Sequence, residues 1–180
     1  EMVAEPAHLA QDYFNASLIA SGPVLAVSGN APFLFGKSLW EETRIPLFEQ
    51  AVSLSGMHEG VERVTFGRGY LNSPAHWLRE NLEEYPVLLP LCFEDPTQAL
   101  RHLRLHNGTI WRWNRPLLGF EEDGAPHIRI EHRILPAGPT FIDMMANAAL
   151  YIGLVHYLVS IDPACTELDF AAARANFYNA

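Results

Sequence analysis

The fold is decided by the stretch Asn107–Pro139, which reads NGTIWRWNRPLLGFEEDGAPHIRIEHRILPAGP. It contains two runs of extended character, Thr109–Arg115 and His127–Leu135. A polar connection with glycine and proline, Pro116–Pro126, joins them. A residue that precedes proline favours extended backbone, so Arg115 is expected at a strand end, where functional side chains are often presented. The pattern therefore predicts two strands around a polar connection.

The second run separates charged from apolar side chains. Arg129, Glu131 and Arg133 alternate with apolar neighbours, and alternate residues of a strand share one face. The other face carries Ile128, Ile130, His132 and Ile134. Those isoleucines can pack on a core, and His132 is predicted to be a packed core histidine.

Two interpretations of the charged face stay open. It can be a solvated ladder of salt bridges on a half-buried strand. Alternatively, the arginines bind phosphate or carboxylate through their planar forks, and Glu131 contributes to a Mg²⁺ site that phosphates complete.

Composition predicts one globular domain, 1–180, of which 49% is hydrophobic and 18% charged. A net charge of −9 argues against a nucleic-acid-binding surface. The two cysteines, Cys92 and Cys165, are far apart and lack metal-ligand spacing. They suggest unpaired thiols in a reducing compartment, which favours a cytoplasmic protein.

Helical periodicity and end signals predict most of the remaining elements. A strand interrupted by two glycines is also expected over Arg63–Tyr70. Residues 21–23, Ser-Gly-Pro, are expected to interrupt the first helix. The predicted helices are Ala7–Ala20, Ser73–Tyr85, Asp95–Leu105, Thr140–Val159 and Asp169–Tyr178.

The helix Thr140–Val159 is the best defined of these. Thr140 with Asp143 three residues later matches a capping box. The helix is apolar nearly all round, which predicts that it is buried. Its polar residues, such as Asn147 and His156, argue against a membrane span.

Several motifs carry a resemblance to a known family. His102–Pro116, HLRLHNGTIWRWNRP, and Arg129–Arg133, RIEHR, resemble the carboxylate–amine ligase group of glutamate–cysteine ligase family 2. Val27–Phe33, followed by Glu42–Arg44, and the helix Asp143–Leu158 resemble the same family. More distantly, the Asn-Arg and Arg-x-Glu-x-Arg motifs are similar to those of glutamine synthetases.

The resemblance implies an α+β fold with an antiparallel sheet that carries the site on one face and helices on the other, as in glutamine synthetases. It implies an ATP-dependent ligase, related to glutathione biosynthesis, that phosphorylates an amino-acid carboxylate and lets an amine displace the phosphate. ATP and Mg²⁺ or Mn²⁺ would be the cofactors, and small molecules rather than nucleic acid or membrane the partners. Self-association stays open. The chain is expected to be the C-terminal part of a longer catalytic region whose paired glutamates lie upstream.

The resemblance also implies roles for individual residues. Glu131 would bind the metal ion, and Arg115 and Arg133 would hold the transferring phosphoryl group or the substrate carboxylate. The other residues expected at the substrate and ATP are Asn114, Arg44, Arg129 and Asn30.

Alternatives to these roles remain. Arg44 can form a salt bridge with a nearby glutamate, and Arg129 can be a structural ion-pair partner. His102 and His106, four residues apart on a predicted helix, have the spacing of a metal pair but lack a third ligand. At the level of function, a guanidino-kinase-like phosphotransferase and a non-catalytic nucleotide-binding remnant also stay open.

Overall fold

A computed structural model describes residues 1–4, 7–54, 61–73, 75–161 and 168–180. The chain is a mixed α+β protein with small antiparallel sheets, as predicted at this level. Short 3₁₀ helices cover Ala7–Leu9 and Thr97–Ala99. The strands are β1 Met2–Val3, β2 Phe33–Leu34, β3 Lys37–Ser38, β4 Asn114–Phe120 and β5 Pro126–His132. The helices are α1 Ala10–Ser28, α2 Arg44–Ala51, α3 His76–Glu84, α4 Arg101–Gly108, α5 Phe141–Ile161 and α6 Phe170–Tyr178.

The main sheet has the strand order β1-β5-β4, and both pairings are antiparallel. The register places Arg115 opposite Glu131 and Asn114 opposite His132. Because alternate residues share a face, Arg115 and Glu131 lie on one face, which we call the outer face. Asn114 and His132 lie on the other, which we call the inner face.

The first strand of the pair begins later than predicted. Residues 109–113 were expected to be part of it, but β4 starts at Asn114 and extends to Phe120, into the predicted connection. Trp111 N–H donates instead to the carbonyl of Arg63 at 2.8 Å, and Trp113 N–H to that of Thr65 at 3.0 Å. The turn shrinks to the few residues around Gly124, whose φ of +85° suits glycine. The predicted strand over residues 63–70 is likewise not formed, although these two bonds tie its first residues to the chain before β4.

Helix α1 continues through the residues that were expected to interrupt it. Pro23 lies inside the helix and is solvent-exposed. The following turn is held by burial, since Val24 and Leu25 are 0% and 3% exposed. Gly22 lies against α6, where an added Cβ would be 2.9 Å from the carbonyl carbon of Asn176. The packing of α1 on α5, α6 and the sheet thus outweighs the hydrogen bond lost at the proline.

The hydrophobic core lies between the inner face and the helices. Ile130 and Ile134 are fully buried, which confirms that the isoleucine face packs on a core. Trp113 is also fully buried and packs against Phe177, with ring centroids 5.6 Å apart. Phe177 in turn stacks on Phe66 at 5.1 Å.

Helix α5 is capped as predicted but is not buried. Thr140 Oγ1 accepts a hydrogen bond from the Asp143 backbone N–H at 3.2 Å, which confirms the N-cap half of the predicted capping box. The Asp143 carboxylate accepts from the Thr140 hydroxyl at 2.6 Å rather than from its backbone N–H. Of its residues, only Tyr151 and Val155 are buried, so the prediction of a helix buried on all sides is wrong. Its exposed large apolar residues are Phe141, Ile142, Met144, Met145, Leu150, Ile152, Tyr157 and Ile161.

By length and composition, α5 is also the one helix among the described residues that could cross a bilayer. Its mean hydropathy is 1.5, and 11% of its most apolar window is buried. One such helix is weak evidence for a membrane protein, because helices of soluble proteins pass the same test.

Two further predictions concern the start of α6 and the state of the cysteines. Asp169 caps α6 by accepting from the Ala171 N–H at 3.1 Å, which agrees with the helix predicted to start there. Cys92 is a free and exposed thiol. Cys165 lies outside the described residues.

Candidate functional site

The outer face brings three of the predicted site residues together. Glu131 Oε2 accepts from Arg115 Nε at 2.7 Å and lies 2.7 Å from a second nitrogen of the same guanidinium. The same oxygen accepts from Arg133 Nε at 2.9 Å. The strand register produces this arrangement, because it sets Arg115 directly opposite Glu131 while Arg133 follows on the same face.

This charged cluster has more positive than negative charge. Two guanidinium groups share one carboxylate, and the three side chains are 14% to 23% exposed. Burial lowers the pKa of Arg115, the charge of Arg133 lowers it further, and Glu131 partly offsets both. Among the described residues, only the Nε of the Arg133 guanidinium has a partner. Its remaining N–H groups are the ones with which the cluster can bind an anionic oxygen.

Asn114 does not join the cluster, because neighbouring residues of a strand point to opposite faces. Its side chain is fully buried on the inner face. There Asn114 Oδ1 lies 2.7 Å from His132 Nδ1, and its amide nitrogen donates to Ser21 Oγ at 2.9 Å. A ligand on the outer face would therefore not reach it.

His132 lies on the isoleucine face, as the sequence predicted, but it is half-buried at the edge of the core. Its ring stacks on Tyr151, with centroids 3.8 Å apart. Burial, with smaller contributions from nearby positive charges, lowers the pKa of His132 to about 3. Burial likewise raises the pKa of Tyr151 to about 12, although its hydroxyl lies 2.9 Å from Ser17 Oγ. The inner face thus holds a network of neutral polar groups.

Arg44 and Asn30 are tied to the chain that follows β5. The Arg44 guanidinium donates to the carbonyls of Arg133, at 3.1 Å, and Ile134. It also lies 3.7 Å from Glu42 and 5.4 Å from the Trp113 ring. Burial lowers the pKa of Arg44, with Glu42 opposing the shift. These contacts give Arg44 a structural role in holding the end of β5.

Asn30 is exposed and holds the chain after β5 at a residue further along than Arg44 does. Its side-chain nitrogen donates to the Ala137 carbonyl at 2.9 Å, and its backbone N–H to Glu42 at 3.1 Å. Arg44 reaches the Arg115–Glu131–Arg133 cluster only at the backbone carbonyl of Arg133, and the Asn30 side chain donates to Ser28 and Ala137 instead. Glu42 links Asn30 to Arg44, because its carboxylate accepts from the Asn30 backbone N–H and lies 3.7 Å from the Arg44 guanidinium.

Arg129 lies on the outer face beside the cluster, two residues before Glu131 on β5. It forms an ion pair with Glu1 at 2.9 Å, in which both side chains are about two-fifths exposed. Arg129 therefore lies next to the cluster, but it pairs with Glu1 rather than with Glu131.

Two buried arginines were missed by sequence reasoning. Arg63 is 2% exposed and donates to both oxygens of Thr109. Arg112 is 3% exposed and donates to Glu80 and Asn81, each at 2.8 Å. The position of Arg112 between two tryptophans was a signal of burial, whereas nothing around Arg63 in the sequence indicates it.

The two predicted histidines of a metal pair bind different partners. His102 Nε2 accepts from the Phe93 N–H at 3.1 Å, and His106 Nε2 lies 2.9 Å from the Asn81 carbonyl. Within the parts of the chain that the structure describes, no three acidic, histidine or cysteine side chains gather as metal ligands. A Mg²⁺ site at Glu131 stays a prediction, and Glu131 Oε2 already accepts from two arginines.

Comparisons of the chain with protein-family models, curated proteins and solved structures found no match.

Proposed function

We propose that this chain forms part of the catalytic region of a cytoplasmic, ATP-dependent carboxylate–amine ligase similar to the glutamate–cysteine ligases. Its antiparallel sheet would then correspond to the catalytic sheet of a glutamine synthetase-like fold. The observation that carries the proposal is the convergence of Arg115 and Arg133, from neighbouring strands, on one oxygen of Glu131. The motifs that contain these residues also carry the family resemblance.

The proposed reaction has two steps. The terminal phosphoryl group of ATP moves to an oxygen of the substrate carboxylate, and ADP leaves. The amine then attacks the carbonyl carbon and loses a proton, an amide bond forms, and inorganic phosphate leaves with the carboxylate oxygen to which the phosphoryl group was transferred. Negative charge on phosphate oxygens must be stabilised in both steps.

Arg115 and Arg133 are suited to that task. A guanidinium is planar and binds phosphate or carboxylate with two parallel hydrogen bonds. Glu131 holds the two groups side by side and balances part of their charge. Arg129, further along the same face, is proposed to bind another part of the nucleotide or substrate.

A divalent ion would accompany the nucleotide and neutralise phosphate charge. Glu131 could offer its Oε1 to such an ion, but a complete shell needs ligands beyond the described residues. The contribution of this chain is therefore the binding and orientation of anionic oxygens.

The test is to measure ADP, phosphate and amide formed by the protein that carries this chain. ATP consumption should require both a carboxylate substrate, such as glutamate, and an amine, such as cysteine. Equal ATP turnover without either substrate would contradict the ligase. A phosphorylated guanidine in place of an amide would indicate the guanidino-kinase-like alternative.

A second candidate is a nucleotide-binding or scaffolding domain without catalysis. The observation that favours it is that both arginines already bind a partner, so that the cluster can be a salt ladder. The effect of a conservative change at Arg133, considered below, distinguishes the two.

A further inference from the structure

An open groove of about 530 Å³ lies between α4 and the β4–β5 pair, outside the Arg115–Glu131–Arg133 cluster. We call it the arginine groove, because Arg101, Arg104 and Arg129 line it. Phe93 and Leu117 contribute apolar surface to its walls. The groove combines several positive charges with an apolar wall.

The groove concentrates positive charge in an acidic protein. The chain has a net charge of −9 and 12 lysines and arginines, of which three line this one groove. Arg101 and Arg104 are three residues apart on α4 and therefore project from the same side of the helix. Arg129 approaches from β5.

The carboxylates near these three arginines do not neutralise their positive charge. Arg101 pairs with Asp95 at 3.2 Å, and Arg129 with Glu1 at 2.9 Å; the four side chains are 36% to 50% exposed. Exposed pairs of this kind are weak and exchange readily for a better acceptor. Arg104 has no carboxylate partner among the described residues; its guanidinium lies 5.5 Å from the Phe120 ring centre.

The groove also contains hydrogen-bond donors without a partner. Asn107 lines it and is 4% exposed, yet its Nδ2 has no acceptor within the described residues. Asn107 Oδ1 accepts from Asn81 at 2.9 Å, which fixes the orientation of the amide. Arg129 Nε is a second buried donor without an acceptor. Buried donors of this kind are rare, and a ligand with acceptor oxygens would satisfy them.

We infer that the arginine groove binds a polyphosphate, with Arg104 and Asn107 as its central contacts. Several guanidinium groups match a chain of phosphates better than a single carboxylate, and each binds phosphate through its planar fork. In a nucleotide, the base would lie on the wall formed by Phe93 and Leu117. The groove would bind such an anion whether or not the chain is part of a ligase.

The test uses inorganic tripolyphosphate and, separately, ATP, titrated by calorimetry into the 180-residue chain at low salt without divalent ions. Arg104→Gln should weaken tripolyphosphate binding by about tenfold, the expected loss of one charged hydrogen bond. The matched control is Arg79→Gln, which removes the same charge from an exposed position on α3. It should leave the affinity nearly unchanged.

A further variant identifies the ligand. Phe93→Leu should weaken ATP binding but not tripolyphosphate binding if the ligand is a nucleotide, and should change neither if it is an inorganic polyphosphate. Either result supports the site, provided that the Arg104→Gln variant binds tripolyphosphate more weakly than the wild type does.

The inference is overturned if neither probe binds. It is also overturned if Arg104→Gln and Arg79→Gln weaken binding equally, because the effect would then come from net charge alone. Arg104 is exposed, so its substitution leaves the core intact. Circular dichroism of each variant confirms that the fold is retained.

Discussion

The two faces of the β4–β5 pair satisfy their polar groups in opposite ways. On the inner face, Asn114 is fully buried and its amide connects His132 to Ser21. On the outer face, Arg115 and its neighbours are partly exposed, and two guanidinium groups share one carboxylate. The inner face is closed and neutral, which suits stability. The outer face is open and positively charged, which suits a ligand.

The largest expected effect concerns function on the outer face. Arg133→Lys keeps the charge but replaces a planar fork with a point charge. Loss of one transition-state contact is worth about 3 kcal/mol, so ligase kcat should fall roughly a hundredfold. Steady-state kinetics with saturating substrates measures this, and unfolding in urea should show little change.

The control for that experiment is Arg79→Lys, at an exposed position on α3, outside the β4–β5 pair. It should retain full activity. If Arg133→Lys were as active as Arg79→Lys, the outer face would be a salt ladder. It would then have no role in binding the transferring group.

The next effect concerns stability on the inner face. Asn114→Ala would leave the half-buried His132 Nδ1 without its partner and would remove the hydrogen bond that Ser21 Oγ accepts, although Ser21 Oγ would still donate to the Ser17 carbonyl. One unsatisfied buried group costs about 2 kcal/mol, so the free energy of unfolding should fall by at least that amount. Urea denaturation of Asn114→Ala and of Arg115→Gln, its outer-face neighbour, compares the two faces directly. An equal or larger loss in Arg115→Gln would show that the outer face carries the stability instead.

A smaller effect is the pH dependence that His132 contributes. Its pKa is lowered to about 3 in the folded protein, against a usual value of 6.5. The unfolded chain therefore binds the proton first as the pH falls. The contribution of His132 to stability is complete above pH 6.5 and is lost as the pH falls towards 3. The expected slope is about 1.4 kcal/mol per pH unit inside that window.

His132→Gln removes the titrating group and provides the reference. The difference in unfolding free energy between wild type and this variant, measured across the window, isolates the histidine from other groups. A difference that did not change with pH would mean that His132 is not held neutral by the inner face.

The alternation of side chains was predictable because it depends only on the geometry of a single strand. The period of two in residues 128–134 correctly separated the charges from the isoleucines and placed His132 with the latter. The N-cap of α5 at Thr140 and the cap of α6 were predictable for the same reason, since both are local in sequence.

Features that depend on distant partners were not predictable. The start of β4 is set by hydrogen bonds from residues 111 and 113 to residues 63 and 65. As a result, Asn114 and Arg115 lie at the beginning of β4 rather than at the end of the predicted strand Thr109–Arg115. Helix α1 passes Pro23 because other helices pack on it, and the apolar composition of α5 does not reveal which of its sides is covered.

In the proposed function, Arg115 and Arg133 on the outer face bind anionic oxygens. The most direct measurement is the nuclear magnetic resonance of arginine Nε–H groups during titration with sulfate at constant ionic strength. Signals are assigned with the Arg115→Lys and Arg133→Lys variants. The Nε signals of Arg115 and Arg133, which both donate to Glu131 in the free protein, should shift together and saturate, while that of Arg79 should not. Unchanged Arg115 and Arg133 signals, or equal shifts at Arg79, would contradict the claim.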